Sequence, residues 1–287
     1  ASDQALYAQA EIAHAVTLLQ ADGQPYPNAK AGGEVPDPES IRHDPESDNL
    51  WWTSEGDRKL GASPFLRAAT PDGQFAEAFI TPEIFRMNKD QEIGPRHNLG
   101  FEGLSFAPDG KSVWLAMESA LYQDGSIATP SAGTIARLTR LDREGKVLAQ
   151  YAYPLDPVQA VPTGKNADNG VGEILALDHR RVLVLERSGV EDTEGIWTVY
   201  IRIYAIDTAG ATDITTVPSL ASANYIPVTK RLVIDLAKTA EVGPVDNIEG
   251  MSWGPTLADG KRSLVLVSDN NFNPPQITQF LAFEVTP

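Results

Sequence analysis

The sequence predicts an all-β protein, a single-domain β-propeller with antiparallel blades. One pattern occurs four times: an acid, an apolar strand, a turn, a second strand and another acid. A second hairpin follows most copies, and two successive hairpins supply the four antiparallel strands of a propeller blade. Long helical periodicity is absent, and self-similarity at a rough period is the mark of a repeat architecture.

The four copies are defined by the acids that open and close them. They open at Glu39, Glu102, Glu173 and Glu249 and close at Glu55, Glu118, Glu186 and Asp269. Polar or Gly-containing turns lie midway, near Ser47, at Asp109-Gly110, at His179-Arg180 and at Asp259-Gly260. Such turns join the strands of antiparallel hairpins. Since one acid enters each hairpin and the other leaves it, we expect eight carboxylates at one edge of the structure.

The remaining strands are predicted from the segments between these hairpins. Second hairpins turn at Pro71-Asp72-Gly73, at Arg143-Glu144-Gly145 and near Thr208-Ala209-Gly210. The last repeat shows one further strand, QITQFLAFEV, and the N-terminal stretch AEIAHAVTLL is expected to supply a strand that closes the ring. Repeat starts are 63, 71 and 76 residues apart, longer than the roughly 40 to 50 residues of common blades. An extra apolar run, RLVIDL, leaves the blade number at four to six.

Composition bounds the class of protein. No Pro-, Gly- or Ser-rich linker divides the 287 residues, so residues 1–287 are expected to form one domain, and we expect a monomer. The absence of Cys excludes disulfides, thiolate zinc sites and a Cys nucleophile. A net charge of −16 disfavours nucleic acid as a partner. No apolar run reaches 18 residues, so no membrane span is expected.

The acids that open the repeats predict a cation site. The first strand of each blade lines the channel of a propeller, so Glu39, Glu102, Glu173 and Glu249 are expected to face one another around its mouth. Convergent carboxylates need a cation or take up protons, and oxygen ligands suit Ca²⁺, Mg²⁺ or Mn²⁺ better than Zn²⁺. Such acids also serve, alternatively, as acceptors for backbone N–H groups of the next blade. Both interpretations remain open at this point.

Other polar residues near these acids suit an anionic ligand. Arg187 follows Glu186 at a strand end, where a guanidinium binds a phosphoryl oxygen or forms a structural ion pair. We assign substrate-binding roles to Arg96, His97, Asn247 and Asn270. The sequence has no Gly-x-Ser-x-Gly elbow, no phosphate loop and no dinucleotide-binding fingerprint. It therefore gives no support for a serine hydrolase of the usual type, a P-loop nucleotide site or a dinucleotide cofactor.

Three segments carry a resemblance to a known family. They are GPRHNLGFEGLSFAPDGKSVWLAMESALYQDG from Gly94, LVLERS from Leu183, and DNIEGMSWGPTLADGKRSLVLVSDNNFNPPQITQFLAFEV from Asp246. In these segments the sequence resembles the phytase-like family, described as having esterase-like activity. The resemblance places the family's acids and arginine at Glu102, Glu118, Glu186, Arg187, Glu249 and Asp269. It also implies an exported bacterial protein, so we expect a periplasmic or secreted location, with any signal peptide removed ahead of the ASDQ start.

The leading hypothesis is a metal-dependent phosphoric ester hydrolase. A divalent cation, in the first place Ca²⁺, is expected at Glu39, Glu102, Glu173 and Glu249, and the catalytic roles are assigned to Glu118, Asp269 and Arg187. Two other hypotheses stay open: a non-enzymatic binding propeller with a structural cation, and a metal-dependent carboxylesterase or lactonase. All three need convergent acids, and propellers host each of these functions.

Overall fold

The computed structural model describes residue 12, residues 15–28, residue 30 and residues 32–286. These residues form a four-bladed, all-β propeller of antiparallel sheets. Two 3₁₀ turns, Glu83–Phe85 and Leu236–Lys238, are the helical elements within these ranges. No helix there is long and apolar enough to cross a membrane.

Fifteen strands make up the four sheets. Blade 1 contains β1 (Pro38–His43), β2 (Leu50–Ser54), β3 (Phe65–Ala69) and β4 (Phe75–Ala78). Blade 2 contains β5 (Phe101–Phe106), β6 (Val113–Met117), β7 (Thr134–Leu141) and β8 (Val147–Leu155). Blade 3 contains β9 (Ala167–Ala176), β10 (Arg181–Glu191), β11 (Trp197–Asp207) and β12 (Thr229–Asp235). Blade 4 contains β13 (Ile248–Trp253), β14 (Arg262–Ser268) and β15 (Phe280–Val285).

The blades pack around the four first strands. β1, β5, β9 and β13 contact one another in that order, and apolar cores lie between blades 1 and 2, 2 and 3, and 3 and 4. Blades 4 and 1 meet differently, across a cavity of about 510 Å³. There Arg42 of β1 donates a hydrogen bond of 3.0 Å from Nη2 to the carbonyl oxygen of Met251 in β13. A polar contact therefore links the first and last blades.

The fold prediction is confirmed, and the blade number is four. The segment RLVIDL belongs to β12, the outer strand of blade 3, and is not part of an additional blade. The strand predicted directly after Gly210 is absent from the described chain, because residues 208–228 cross to blade 2, where Ile214 N–H donates to Gln150 O at 2.9 Å. Chain crossing of this kind covers part of an exposed strand edge.

The segment predicted to close the ring, residues 10–19, lies partly outside the described residues. Its described part, residue 12 and residues 15–19, has no strand, and Leu19 N–H donates to Gly73 O at 2.8 Å in the β3–β4 turn of blade 1. Blade 4 has three strands among the described residues.

Candidate functional site

A β-bulge occurs at the same place in all four first strands. In each blade two residues of the first strand oppose one residue of the second, after Pro38 in β1, Phe101 in β5, Val171 in β9 and Ile248 in β13. A bulge bends its strand and re-aims the side chains next to it. The four bulges therefore give a structural alignment of the blades that does not depend on residue identity.

The bulges align three of the four opening acids. Glu39, Glu102 and Glu249 occupy the first bulge position of their blades, whereas blade 3 has Gly172 there. Glu173 takes the second bulge position, which blade 2 fills with Gly103. Because successive side chains of a strand point to opposite sides, a shift of one residue turns the side chain away from the others.

The same shift applies to the acids that close the repeats. In each second strand, one residue pairs with the first-strand residue directly before the bulge. The next residue along the chain is Glu55, Glu118 or Asp269 in blades 1, 2 and 4, and Arg187 in blade 3. Glu186 lies one residue earlier. One end of the propeller thus carries paired acids from blades 1, 2 and 4, with an arginine from blade 3.

A buried triad forms the centre of this acidic mouth. Carboxylate oxygens of Glu55, Glu102 and Glu118 lie within 4.8 Å of one another, and all three side chains are buried. A second group, on the exposed side, brings Asp37 and Glu39 within the same distance of Glu55. Glu55 therefore belongs to both groups.

Burial and mutual repulsion raise the pKa values of the mouth carboxyls. Desolvation is the largest cause for Glu55 and Glu118, and it raises their pKa values to about 7 and about 8, although Gly100 N–H and Arg187 respectively oppose the shift. The pKa of Glu102 also lies well above its usual value, because of burial and then the charges of Glu118 and Glu39. Desolvation and then the charges of Glu55 and Asp37 raise the pKa of Glu39 to about 9. Because the Glu39 residue is exposed, we attribute the rise mainly to these charges.

Arg187 is the cation closest to the buried acids. Its Nη2 lies 3.5 Å from Glu118 Oε1 and its Nε lies 3.3 Å from Glu249 Oε1. The buried Nε has no hydrogen-bond partner among the described residues. Burial lowers the pKa of Arg187, but the charges of Glu118 and Glu249 outweigh it and raise the pKa above its usual value. A single guanidinium thus faces several carboxylates, which leaves the mouth electrostatically suited to a further cation.

The donor set fits a hard divalent cation. Glu102 as a residue is 8% exposed, and its carboxylate has no hydrogen bond or ion pair within the described part of the chain. Buried carboxylates without partners are costly, and carboxylate oxygens are the ligands that Ca²⁺ and Mg²⁺ bind. Glu55, Glu102 and Glu118, with Glu39 beside them, are the residues able to hold such an ion.

Glu173 and Glu186 lie apart from this triad. Glu173 Oε2 is 2.6 Å from Arg42 Nη2, and its Oε1 accepts the backbone N–H of Leu104 at 3.2 Å. It therefore links blades 1, 2 and 3, as expected for an acid that pins the ring. Glu186 accepts a 2.5 Å hydrogen bond from Tyr153 Oη and pairs with Lys230, on the face of blade 3 turned toward blade 2.

The predicted substrate-binding residues make separate contacts. The Arg96 guanidinium donates hydrogen bonds to the carbonyl oxygens of Ala120 and Gly125, at 3.1 and 2.7 Å. His97 Nδ1 lies 3.9 Å from Asp57 Oδ1. Asn247 is buried, and its side chain opposes the rise in the pKa of Glu249 that desolvation causes.

Asn270 and Asp269 lie on the loop that follows β14. Asn270 Oδ1 accepts the N–H of Phe272 at 3.0 Å, so it orders the loop. Asp269 is exposed. Desolvation is the largest cause of the raised pKa of Glu249, and the charge of Asp269 raises it further.

Asp37 and Asp168 are mouth residues that the sequence pattern did not single out. Asp37 lies two residues ahead of Glu39, and Asp168 Oδ1 accepts the N–H of Gly189 at 3.1 Å close to Arg187. Both precede the opening acid of their repeat, Asp37 by two residues and Asp168 by five, and this position was the signal available.

A family model described as "Phytase-like: Esterase-like activity of phytase" matches residues 3–272. The chain belongs to the Phytase-like family. No curated protein matches this Phytase-like chain. Among solved structures, a mannose phosphorylase from Leishmania mexicana in complex with phosphate ion is similar at 10% identity, with 88% of this chain and 82% of that chain covered and a TM-score of 0.28.

Proposed function

We propose that this Phytase-like protein hydrolyses phosphate esters of small molecules at the acidic mouth, with the help of a divalent cation. The observation that carries the proposal is the alignment of the bulges. Blades 1, 2 and 4 each aim a pair of acids at the mouth, and blade 3 aims Arg187 there. Membership of a family described by esterase-like activity supports the same class of reaction.

Glu55, Glu102 and Glu118 are the residues that would hold the cation, in the first place Ca²⁺. Their oxygens are close enough to share one ion, and their raised pKa values mean that a cation and protons compete for the same oxygens. When bound, the cation would neutralise substrate phosphate and lower the pKa of a coordinated water.

Arg187 would bind and orient the phosphate. Its Nε, which makes no hydrogen bond within the described residues, and its Nη2 lie beside Glu249 and Glu118, and a guanidinium donates two parallel hydrogen bonds to phosphoryl oxygens. Asp269, which is exposed at the rim and outside the triad, would accept the proton of the attacking water at a carboxylate oxygen. Removal of one such charge-stabilising group costs about 10²–10³ in kcat.

The test is a hydrolysis screen of EDTA-treated protein with Ca²⁺, Mg²⁺ or Mn²⁺ added back. The substrates are an alkyl phosphate, a sugar phosphate, bis(4-nitrophenyl) phosphate and 4-nitrophenyl acetate. The variants are Glu102→Gln and Arg187→Gln, and the matched control is Glu144→Gln, whose exposed side chain lies in the β7–β8 turn. We expect cation-dependent release of phosphate or alcohol that both site variants lose and the control keeps.

Each alternative hypothesis has its own outcome in this screen. Turnover of 4-nitrophenyl acetate alone would move the reaction to carboxylic esters. A large rise in Tm with the cation and no turnover of any ester would leave a binding propeller with a structural cation. Full phosphate-ester turnover by Glu102→Gln would overturn the site assignment.

A further inference from the structure

A second concave surface lies beside Arg187, between blades 3 and 4. It is a cavity of about 680 Å³, separate from the triad, that Arg187 and Glu249 line on its inner side. Strands β10 and β11 form one wall, and residues 245–249 with the loop after β14 form the other. A volume of this size accommodates a small organic molecule.

The wall from blade 3 presents an aromatic ring. Trp197 lines the cavity, and its side chain is 42% exposed. Its ring lies against Gly189 of β10, where an added Cβ would come within 2.8 Å of Trp197 Cε3. Gly189 therefore lets the indole lie close against the backbone of the strand, with substantial ring surface still open to solvent.

The opposite wall presents several side-chain amides beside Asp246. Gln276 Oε1 accepts hydrogen bonds of 3.3 Å from Asn271 Nδ2 and from Asn273 Nδ2, and Gln276 Nε2 donates to Asp246 Oδ1 at 3.2 Å. The side-chain amide of Asn98, on the blade 2 side, has no partner in the part of the chain that the structure describes. An amide offers both donors and acceptors, which is the requirement for binding hydroxyl groups.

Backbone strain is concentrated at this cavity. Asn98, Asn271 and Phe272 are the non-glycine residues with positive φ among the described residues, at 55°, 49° and 49°. The first two line the cavity and the third follows directly. Left-handed non-glycine residues cost free energy, and they are found preferentially where a ligand is held.

The charge of the walls limits what the cavity can take. Asp168, Asp246 and Glu249 line it together with one cation, Arg187. One phosphate can pair with Arg187, whereas a second anionic group in the cavity would face carboxylates. A neutral, hydroxyl-rich group meets neither penalty, because it stacks on the indole and hydrogen-bonds to the amides.

We propose that this cavity binds the alcohol part of the ester substrate, and that this part is a neutral polyhydroxylated ring such as a sugar. The preferred substrates are then sugar monophosphates or sugar phosphodiesters, and esters with several phosphates are poor substrates. The role as a leaving-group subsite rests on the proposed hydrolase function. The binding of a neutral sugar does not.

Two measurements test the cavity. The first is saturation-transfer NMR with free glucose, which has no phosphate to hydrolyse. The second is kcat/KM for glucose 6-phosphate, butyl phosphate and fructose 1,6-bisphosphate in Ca²⁺. Both use the full chain, Trp197→Ala and Trp197→Phe. The matched control is Trp253→Ala, because this partly exposed tryptophan of β13 stacks on Arg262 outside the cavity.

We expect the glucose signal in the unchanged protein, in Trp197→Phe and in the control, and its loss in Trp197→Ala. We also expect kcat/KM for glucose 6-phosphate to exceed the values for the other two esters. Trp197→Ala should lower it by about tenfold, as the loss of an aromatic contact allows. If the unchanged protein turns over none of the esters but the glucose signals follow the expected pattern, the proposed hydrolase function is wrong and the sugar site stands. An absent glucose signal, a signal unchanged in Trp197→Ala, or turnover insensitive to that substitution would overturn the inference.

Discussion

Arg187 in blade 3 occupies the position that Glu118 occupies in blade 2, and its Nη2 lies 3.5 Å from the Glu118 carboxylate. The propeller therefore places a positive charge at one of four equivalent positions and negative charges at the other three. An arrangement with one cation among acids both attracts a divalent ion and leaves a guanidinium for an anionic substrate.

Arg187→Gln should destabilise the metal-free protein. It leaves Glu118 and Glu249 without their counter-ion, and removal of one partner of a buried ion pair costs about 3–5 kcal/mol. Denaturant unfolding at pH 8 in EDTA measures this change. The control is Arg86→Gln, whose exposed pair with Glu83 should contribute less than about 1 kcal/mol. Equal effects of the two substitutions would contradict the role of Arg187.

The metal-free protein should lose stability as the pH rises from about 5 to 9. The pKa values of Glu55 and Glu118 are raised to about 7 and about 8 from the usual 4.5, so the folded state binds more protons than the unfolded state over this range. Stability is then greatest below pH 4.5, as far as these groups determine it, and declines as each carboxyl ionises. Thermal melts in EDTA at successive pH values measure it, and saturating Ca²⁺ should flatten the decline. A Tm in EDTA that rises between pH 5 and 9 would contradict the clustering of these acids.

Glu186→Gln should affect stability and leave the response to cations unchanged. Its ion pair with Lys230 and its hydrogen bond from Tyr153 Oη lie between blades 2 and 3, away from the triad. We expect a loss of about 3 kcal/mol from the buried pair and the same Ca²⁺-induced shift in Tm as in the unchanged protein. Loss of that shift would mean that Glu186 is a cation ligand.

Gly170→Ala and Gly172→Ala form a matched pair in β9. An added Cβ at Gly170 would lie 2.5 Å from Glu118 Cγ and 2.6 Å from its Oε1, so the substitution must displace that carboxylate. At Gly172 the nearest atom is Leu185 Cδ2 at 3.4 Å, which is ordinary contact. We expect Gly170→Ala to weaken Ca²⁺ binding at least about tenfold, equivalent to 1.4 kcal/mol, and Gly172→Ala to change it by less than twofold. Similar affinities for the two variants would contradict the position of Glu118.

The sequence predicted the blades well because the signals for hairpins are local. Six of the seven predicted turns join strands as expected, for example Asp109-Gly110 between β5 and β6 and Asp259-Gly260 between β13 and β14. The turn near Gly210 also exists, but the chain then crosses to blade 2 before it returns as β12. A turn residue reports where a strand ends, and it holds no information on which sheet edge the chain joins next.

In blades 1, 2 and 4 the acids that open the repeats occupy the first bulge position, whereas in blade 3 the predicted acid lies one residue later. Blades 2 and 4 have Glu-Gly at the bulge, whereas blade 3 has Gly172-Glu173. An alignment that follows the identity of the acid therefore chooses Glu173 and Glu186 over Gly172 and Arg187. Hydrogen-bond register decides which side a residue faces, and a single residue of slip reverses it.

The most direct test of the acidic mouth is a calorimetric titration of Ca²⁺ into EDTA-stripped protein. The unchanged chain, Glu102→Gln and Glu186→Gln are compared at pH 9, above the pKa values of Glu55 and Glu118, so that protons compete less for their oxygens. The account predicts stoichiometric binding to the unchanged protein and to Glu186→Gln, and binding at least about 100-fold weaker, or about 2.8 kcal/mol, in Glu102→Gln. Absence of binding to the unchanged protein, or equal affinity in Glu102→Gln, would contradict a cation site at the buried triad.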